Sequence, residues 1–393
     1  MLERLTGTVQ SYPWGSPTVL PALLRTQPNG KPQAELWLGS HEMAPSRVAG
    51  EPLNEKVKAR PEAVLGQRSL TRFGPTLPYL MKVLAPAQPL SLQVHPSRRQ
   101  AVAGYAQEEA LGVPRDAPHR MYRDEWPKPE LYCALERTEA LCGFRAPERT
   151  YELSRQLGVM PLVDLVEPLR DGTVDRLKVV FERLLRLPHP THLIGEVVAA
   201  ASVAATAADP DAVAFLRTAR ELGTMYPDDS GVLAALLLNR VALDRDEALY
   251  LPAGNIHAYL HGLGVEVMAN SDNVVRVGLT PKYVNVDELL TLVDFTPGLH
   301  AVVAPVHESP GVWAYPTPAE EFALWRVDVT AGAVAAIPGQ GSGRIALVTS
   351  GSVSFEGASA TLGLSQGQSA FLSAEEPPLR LSGEGRVFVG GPG

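Results

Sequence analysis

EALYLPAGNIHAYLHGLGVEVMANSDNVVRVGL, residues 247–279, decides the fold of this 393-residue chain. Short β-branched and aromatic runs are parted by Pro-Ala-Gly, His-Gly and Asn-Ser-Asp-Asn, the punctuation of adjoining strands. The same texture extends toward the N-terminus. LPYLMKVL (77–84) and LSLQVH (90–95) read as strands separated by the APAQP turn, and ELYCALERTEALCGF (130–144) reads as two strands around a polar turn. One helix is expected near Arg98–Leu111, covering them. The texture breaks from about Glu148 to Arg240, where YELSRQL, VDRLKVVFERLLRL, LIGEVVAAASVAATAA and DAVAFLRTARELGTMY space their apolar residues i, i+3, i+4. Pro188, Pro190, Pro210 and Pro227 fall between these runs, where helices end.

Beyond the opening stretch, VDELLTLV (286–293) predicts a short helix. Residues 320–393 alternate again, with glycine turns at short spacing, as an antiparallel sandwich or barrel does. The expectation is a mainly β chain with a helical insertion. Residues 1–148 plus 242–300 form one β unit, 149–241 an all-α insert and 301–393 a second, metal-free β-barrel-like unit. A net charge of -8 argues against a nucleic-acid partner, though an anionic small molecule can still find a local cationic pocket. Two cysteines are too few for a disulfide framework and suit a reducing compartment. No apolar run reaches the ~18 residues of a membrane span, and MLERLTGTVQSYPWGS lacks an apolar signal core. A cytoplasmic protein with no membrane partner is expected.

Alternation along Ser91–His95 puts Ser91, Gln93 and His95 on one face and Leu92 and Val94 on the other. A Ser/Gln/His face suits the floor of a polar pocket better than a plain core. Lys128 and Glu130 also share a face, and Pro127 and Pro129 confine them to an extended edge or loop. Taken alone, this pair reads more simply as solvated charges. Pro252-Ala253-Gly254-Asn255-Ile256-His257 has the P-x-G-x-x-H pattern, which resembles the second motif of the cupin barrels. A lone His257 reads more simply as a satisfied core residue. Joined to Gln93, His95 and Glu130, it makes two imidazoles and a carboxylate, an open zinc set, with the Gln93 amide oxygen as a neutral fourth ligand. Glu266, Asn270, Asp272 and Arg276 would share a face if residues 266–276 ran as one unbroken strand. The fork of Arg276 and the point charge of Lys282 suit a phosphate.

LSLQVHP, KPELYCAL, SDNVVRVGLTPK, QSYPWGS and AELWLGSHEMAPS together resemble the type I phosphomannose isomerases, in order and in spacing, over residues 10 to 290. The resemblance implies a cupin (jelly-roll) fold with a helical insertion, one zinc ion per chain, and interconversion of mannose 6-phosphate and fructose 6-phosphate. By position it makes Gln93, His95, Glu130 and His257 the zinc ligands and Ser91, Arg276 and Lys282 the substrate or phosphate contacts. Lys128, Glu266 and Asp272 become the groups available for proton transfer, with Glu266 first as base and Lys128 second. Many members have His-Lys-Pro-Glu where this chain has Pro127-Lys128-Pro129-Glu130, and His119 is the nearest stand-in along the sequence. A monomer acting on a sugar phosphate is expected. The competing readings are a metal-dependent cupin oxygenase, which the same His/carboxylate set also suits, and a non-catalytic sugar-phosphate-binding cupin.

Overall fold

Strand parity sorts the residues of two central sheets onto opposite sides. The computed structural model describes every residue except 205–208, 299–301 and 358–359. A five-stranded antiparallel sheet runs in the order Leu238–Leu243, Thr138–Phe144, His257–His261, Leu92–Val94, Val275–Gly278. A seven-stranded sheet runs Val302–Val303, Ala248–Leu251, Glu130–Ala134, Gly264–Ala269, Tyr79–Leu84, Glu35–Leu38, Thr8–Gln10. Tyr132 of one sheet meets Tyr259 of the other with ring centroids 4.5 Å apart, so the two sheets face each other.

The outer faces differ in what they bury. Leu92, Val94, Ala258, Leu260, Val275 and Val277 pack into one apolar cluster with helical residues such as Phe181, Ile194 and Phe215. Leu36, Leu38, Tyr79, Met81, Val83, Leu131, Val265 and Val267 pack instead with Ile345, Leu347, Phe371 and Phe388 of the C-terminal strands. The alternate residues of all these strands therefore point into the gap between the sheets. Burial of both outer faces fixes the register, because a slip of one residue would send every apolar side chain inward.

The helical run is found as expected, from Pro147–Leu157 through Gly231–Ala235, and Arg98–Ala110 and Val286–Leu292 are helices too. Pro210 opens the helix Pro210–Met225 at its first position, where a missing N–H costs nothing. Three features sharpen the expectations. Glu130–Ala134 is an interior strand, flanked by Ala248–Leu251 and Gly264–Ala269, with Pro127 and Pro129 in the loop ahead of it. Residues 266–276 are not one strand, since Gly264–Ala269 and Val275–Gly278 lie in different sheets. The third concerns the C-terminal sheet, which has 11 strands and includes Leu2–Thr6, Arg47–Val48 and Glu51–Pro52 from the N-terminal region. Leu2–Leu5 pairs with Leu372–Ser369, a long-range closure that strand texture alone does not announce. Among the described residues the three sheets run as open paths, so the coarse β-rich class holds and no closed barrel is present. The 300/301 boundary, with His300, lies outside the described residues.

Candidate metal centre and active site

Three cross-strand registers build the site. Cys142, His257, Gln93 and Arg276 lie opposite one another across four strands of the five-stranded sheet. Trp37, Lys82, Glu266 and Tyr132 form the matching row on the facing sheet. Glu130 is two residues before Tyr132 and opposite Met268, so it shares that inner face. The two rows bring His95, Glu130 and His257 together, with one donor atom from each all within 4.8 Å of one another and all three residues buried.

The ring nitrogens decide what this cluster is for. His95 Nδ1 lies 2.8 Å from the Asn273 carbonyl oxygen and His257 Nδ1 lies 3.2 Å from that of Asn255. A carbonyl accepts only, so each Nδ1 carries the proton and each Nε2 presents a lone pair. Those lone pairs face the Glu130 carboxylate, at 3.3 Å from Oε1 for His95 and 3.2 Å from Oε2 for His257. Lys128 Nζ bridges Glu130 Oε1 and His95 Nε2, but no proton lies between His257 Nε2 and Glu130 Oε2, and Oε2 has no hydrogen-bond donor. That pair is repulsive until a cation enters it. The spacing suits one: a tetrahedral zinc with bonds of ~2.0–2.1 Å separates its ligand atoms by about 3.3 Å. The Gln93 amide nitrogen lies 3.4 Å from His257 Nε2, so Gln93 borders the cluster, and turning the amide over would present its oxygen.

Protonation favours the same reading. Burial, reinforced by Lys128, holds His95 down to about 4, so it is neutral. Burial would raise Glu130, but the charges around it, the Lys128 ammonium first, outweigh burial and hold the carboxyl well below its usual range. Neutral imidazole and ionised carboxylate are the states that bind metal. Carbonyl-anchored Nδ1 groups also orient the rings as supporting hydrogen bonds do in metal sites. Lys128, in the loop ahead of the strand, donates to Glu130 Oε1 at 2.9 Å and its Nζ lies 3.4 Å from His95 Nε2, which places it on the cluster.

Glu266 sits deeper. Tyr259 donates to its Oε1 at 3.2 Å and the Lys82 ammonium lies 3.7 Å from its Oε2. Burial first, and Glu130 second, push this carboxyl up to about 8. Lys82 also lies 3.7 Å from Glu35 Oε2, so one buried cation serves two buried acids. Asp272 accepts from His41 Nε2 at 3.2 Å. Burial would raise Asp272, but His41, Lys128 and Arg123 lower it on balance. His41, Arg123, Asp124, Trp126 and Asp272 line a cavity of about 590 Å³. Burial and Arg123 depress Arg276, and burial, Arg276 and Arg123 depress Lys282, so the three cations lie near one another. Ser91 is half-buried and immediately precedes the strand Leu92–Val94. His119 is exposed and packs edge-on against Tyr283, ring centroids 6.3 Å apart, beside Lys282.

Five functional candidates escaped the sequence reading: Glu35, His41, Lys82, Arg123 and Asn273. Lys82 and Glu35 had a usable signal, as lone charges inside strands that are otherwise buried throughout. Asn273 is buried and uses both ends of its amide. Its Oδ1 accepts from the Arg123 N–H at 2.7 Å, and its Nδ2 donates to the Asp124 and Trp126 carbonyls, each at 2.8 Å. No local pattern in the sequence announces that contact across some 150 residues.

The model of the phosphomannose isomerase type I catalytic domain matches residues 2–147. Mannose-6-phosphate isomerase of Salmonella typhimurium is 37% identical over 405 residues, covering 98% of each chain. The Escherichia coli (strain K12) enzyme of the same name is 36% identical over 395 residues, again covering 98% of each. A crystal structure of mannose 6-phosphate isomerase in its zinc-bound form superposes with a TM-score of 0.91 at 37% identity, covering 100% of this chain and 99% of that one.

Proposed function

This chain belongs to the type I phosphomannose isomerase family, and from that premise we infer that it is a zinc-dependent isomerase interconverting D-mannose 6-phosphate and D-fructose 6-phosphate. The observation that carries the reading is the meeting of His95 Nε2, His257 Nε2 and the Glu130 carboxylate as three lone-pair donors. Gln93, His95, Glu130 and His257 would hold one zinc ion. Bound there, zinc supplies Lewis acidity toward the sugar's hydroxyl and carbonyl oxygens. An oxygenase or a binding-only protein is left without support by the family.

The chain's own residues divide the remaining work. Arg276 and Lys282, with Arg123 beside them, clamp the phosphate and spend its binding energy on placing C1 and C2. Ser91, immediately before the strand that carries Gln93, adds a substrate contact. Glu266 moves the proton between C1 and C2 through an enediol. Its carboxyl, raised to about 8, has both protonation states within reach near neutrality, as reversible proton transfer requires. Lys82 and Tyr259 hold it in place. Lys128 keeps Glu130 ionised and is the second candidate for the proton. Asp272, oriented by His41 at the rim of the cavity, is placed to handle the sugar's hydroxyl protons.

We read the two facing sheets as a cupin-type, jelly-roll sandwich. Residues 1–148 with 242–300 carry the catalytic unit, 149–241 cover its helical side, and 301–393 supply a second, metal-free β unit. A cytoplasmic monomer fits Cys133 and Cys142, both buried and unpaired. The test is a coupled assay with mannose 6-phosphate, repeated in D₂O. Turnover with solvent deuterium entering C1 or C2 supports the reading. Turnover without deuterium entry favours a hydride shift and removes Glu266 as base.

A further inference from the structure

We propose that Asp229, at the end of the helical insert, is a positioning residue for the phosphate-binding loop. The proposal rests on the reading that Lys282 meets the phosphate. Lys282 is exposed in the loop between the strand Val275–Gly278 and the helix Val286–Leu292. Leu279 is buried in the core, but beyond it the loop borders a cavity of about 580 Å³ lined by Tyr226, Pro227, Ser230, Val277, Thr280 and Val284. Its start is also held by hydrogen bonds.

Asp229 uses both carboxylate oxygens there. Oδ2 accepts the Thr280 N–H at 3.0 Å, and Oδ1 accepts the Gly231 N–H of its own segment at 2.7 Å. Thr280 Oγ1 then accepts the Lys282 N–H at 3.2 Å, which passes the constraint to the lysine. The insert comes this close because two glycines meet. A Cβ on Gly231 would lie 2.7 Å from the Gly278 Cα, and one on Gly278 would lie 2.6 Å from the Gly231 Cα. Leu279, between Gly278 and Thr280, has φ +57°, a left-handed conformation that a leucine rarely adopts without outside support. The same corner of the insert also reaches the neighbouring strand, where Tyr226 donates to the Pro89 carbonyl at 3.2 Å, two residues before Ser91. The helical insert thus grips both segments that carry phosphate contacts. Asp229 does not touch the sugar and acts through Thr280.

The test uses zinc-loaded full-length protein and four variants: Asp229→Ala, Asp229→Asn, Thr280→Val and Lys282→Ala. We expect Asp229→Ala to raise both KM for mannose 6-phosphate and the competitive inhibition constant of inorganic phosphate about tenfold, from the loss of a charge-assisted hydrogen bond. Zinc content should not change and kcat should move less than about threefold, since the reacting groups stay in place. Asp229→Asn keeps one acceptor and should fall between. Combined with Lys282→Ala, Asp229→Ala should add little, because both act on one contact. An Asp229→Ala enzyme with wild-type KM and phosphate inhibition, beside a Lys282→Ala enzyme impaired in both, overturns the proposal and leaves the phosphate clamp standing. Full additivity in the double variant overturns it as well. A Lys282→Ala enzyme with unchanged KM sinks the phosphate reading itself. Should Asp229→Ala fail to fold, Asp229→Asn and Thr280→Val decide the matter by the same two constants.

Discussion

Glu266→Gln replaces a buried carboxyl with an amide of the same shape, and its effect should depend on pH. In the folded chain burial and Glu130 raise this carboxyl from its ordinary 4.5 to about 8. A raised folded value means that the native state binds the proton more tightly than the unfolded chain does. Glu266 therefore contributes stability that is fully present below pH 4.5 and is lost as pH rises through about 8. The window spans 8 − 4.5 = 3.5 units, or up to roughly 5 kcal/mol at ~1.36 kcal/mol per unit. Lys82, 3.7 Å away, is already part of that value, and relaxation around the new charge trims it further, so a realised difference of about 3 kcal/mol is the working figure. In urea melts of metal-free protein the two forms should match near pH 5, with the glutamine variant the more stable by that amount near pH 8.5. Zinc beside Glu130 favours the ionised form, so the gap should shrink in the loaded protein. A stability difference that does not change between pH 5 and 8.5 would refute the protonated Glu266. In the same variant kcat should fall at least ~100-fold with zinc content unchanged. Near-normal turnover removes Glu266 from the base role.

Lys82→Met strands Glu35 and Glu266 without their shared cation. It should cost about 3–5 kcal/mol in urea melts at pH 8 and less at pH 5, where Glu266 is protonated. Asn273→Ala empties a buried site with hydrogen bonds to Arg123, Asp124 and Trp126. We expect a loss of about 2–4 kcal/mol and a zinc affinity weakened roughly tenfold in a chelator competition, because the His95 anchor loosens. Arg276→Ala should raise KM for mannose 6-phosphate at least ~10-fold and leave bound zinc unaltered; a fall in zinc content would instead tie Arg276 to the metal through its pairing with Gln93.

Much of the site was legible because alternation is a local property. Ser91, Gln93 and His95 could be placed on one face from five residues of sequence, and Lys128 and Glu130 from three. The sheets keep that parity because helices bury one outer face and the C-terminal strands bury the other. What stayed hidden depends on contacts distant in sequence. Pro127 and Pro129 suggested an extended edge or loop; both lie in a loop, and strands from residues 248 and 264 onward flank Glu130–Ala134 once that loop has ended. Parity carried from Glu266 to Arg276 failed because residues 270–274 lead the chain from one sheet to the facing one, so the two side chains approach the gap from opposite walls. The pairing of Leu2–Leu5 with Leu372–Ser369 joins the ends of the chain, and neither strand advertises its partner. Lys82 was overlooked as one charge in an apolar strand, although a lone buried cation always needs an acid nearby.

Metal content and isomerase activity, measured on the same sample before and after chelation, test the central claim most directly. The account predicts about one zinc per chain, loss of mannose 6-phosphate turnover in step with zinc removal, and recovery when zinc is returned. It also predicts that His257→Ala neither retains zinc nor recovers. Wild-type turnover by protein shown to be free of metal would contradict it.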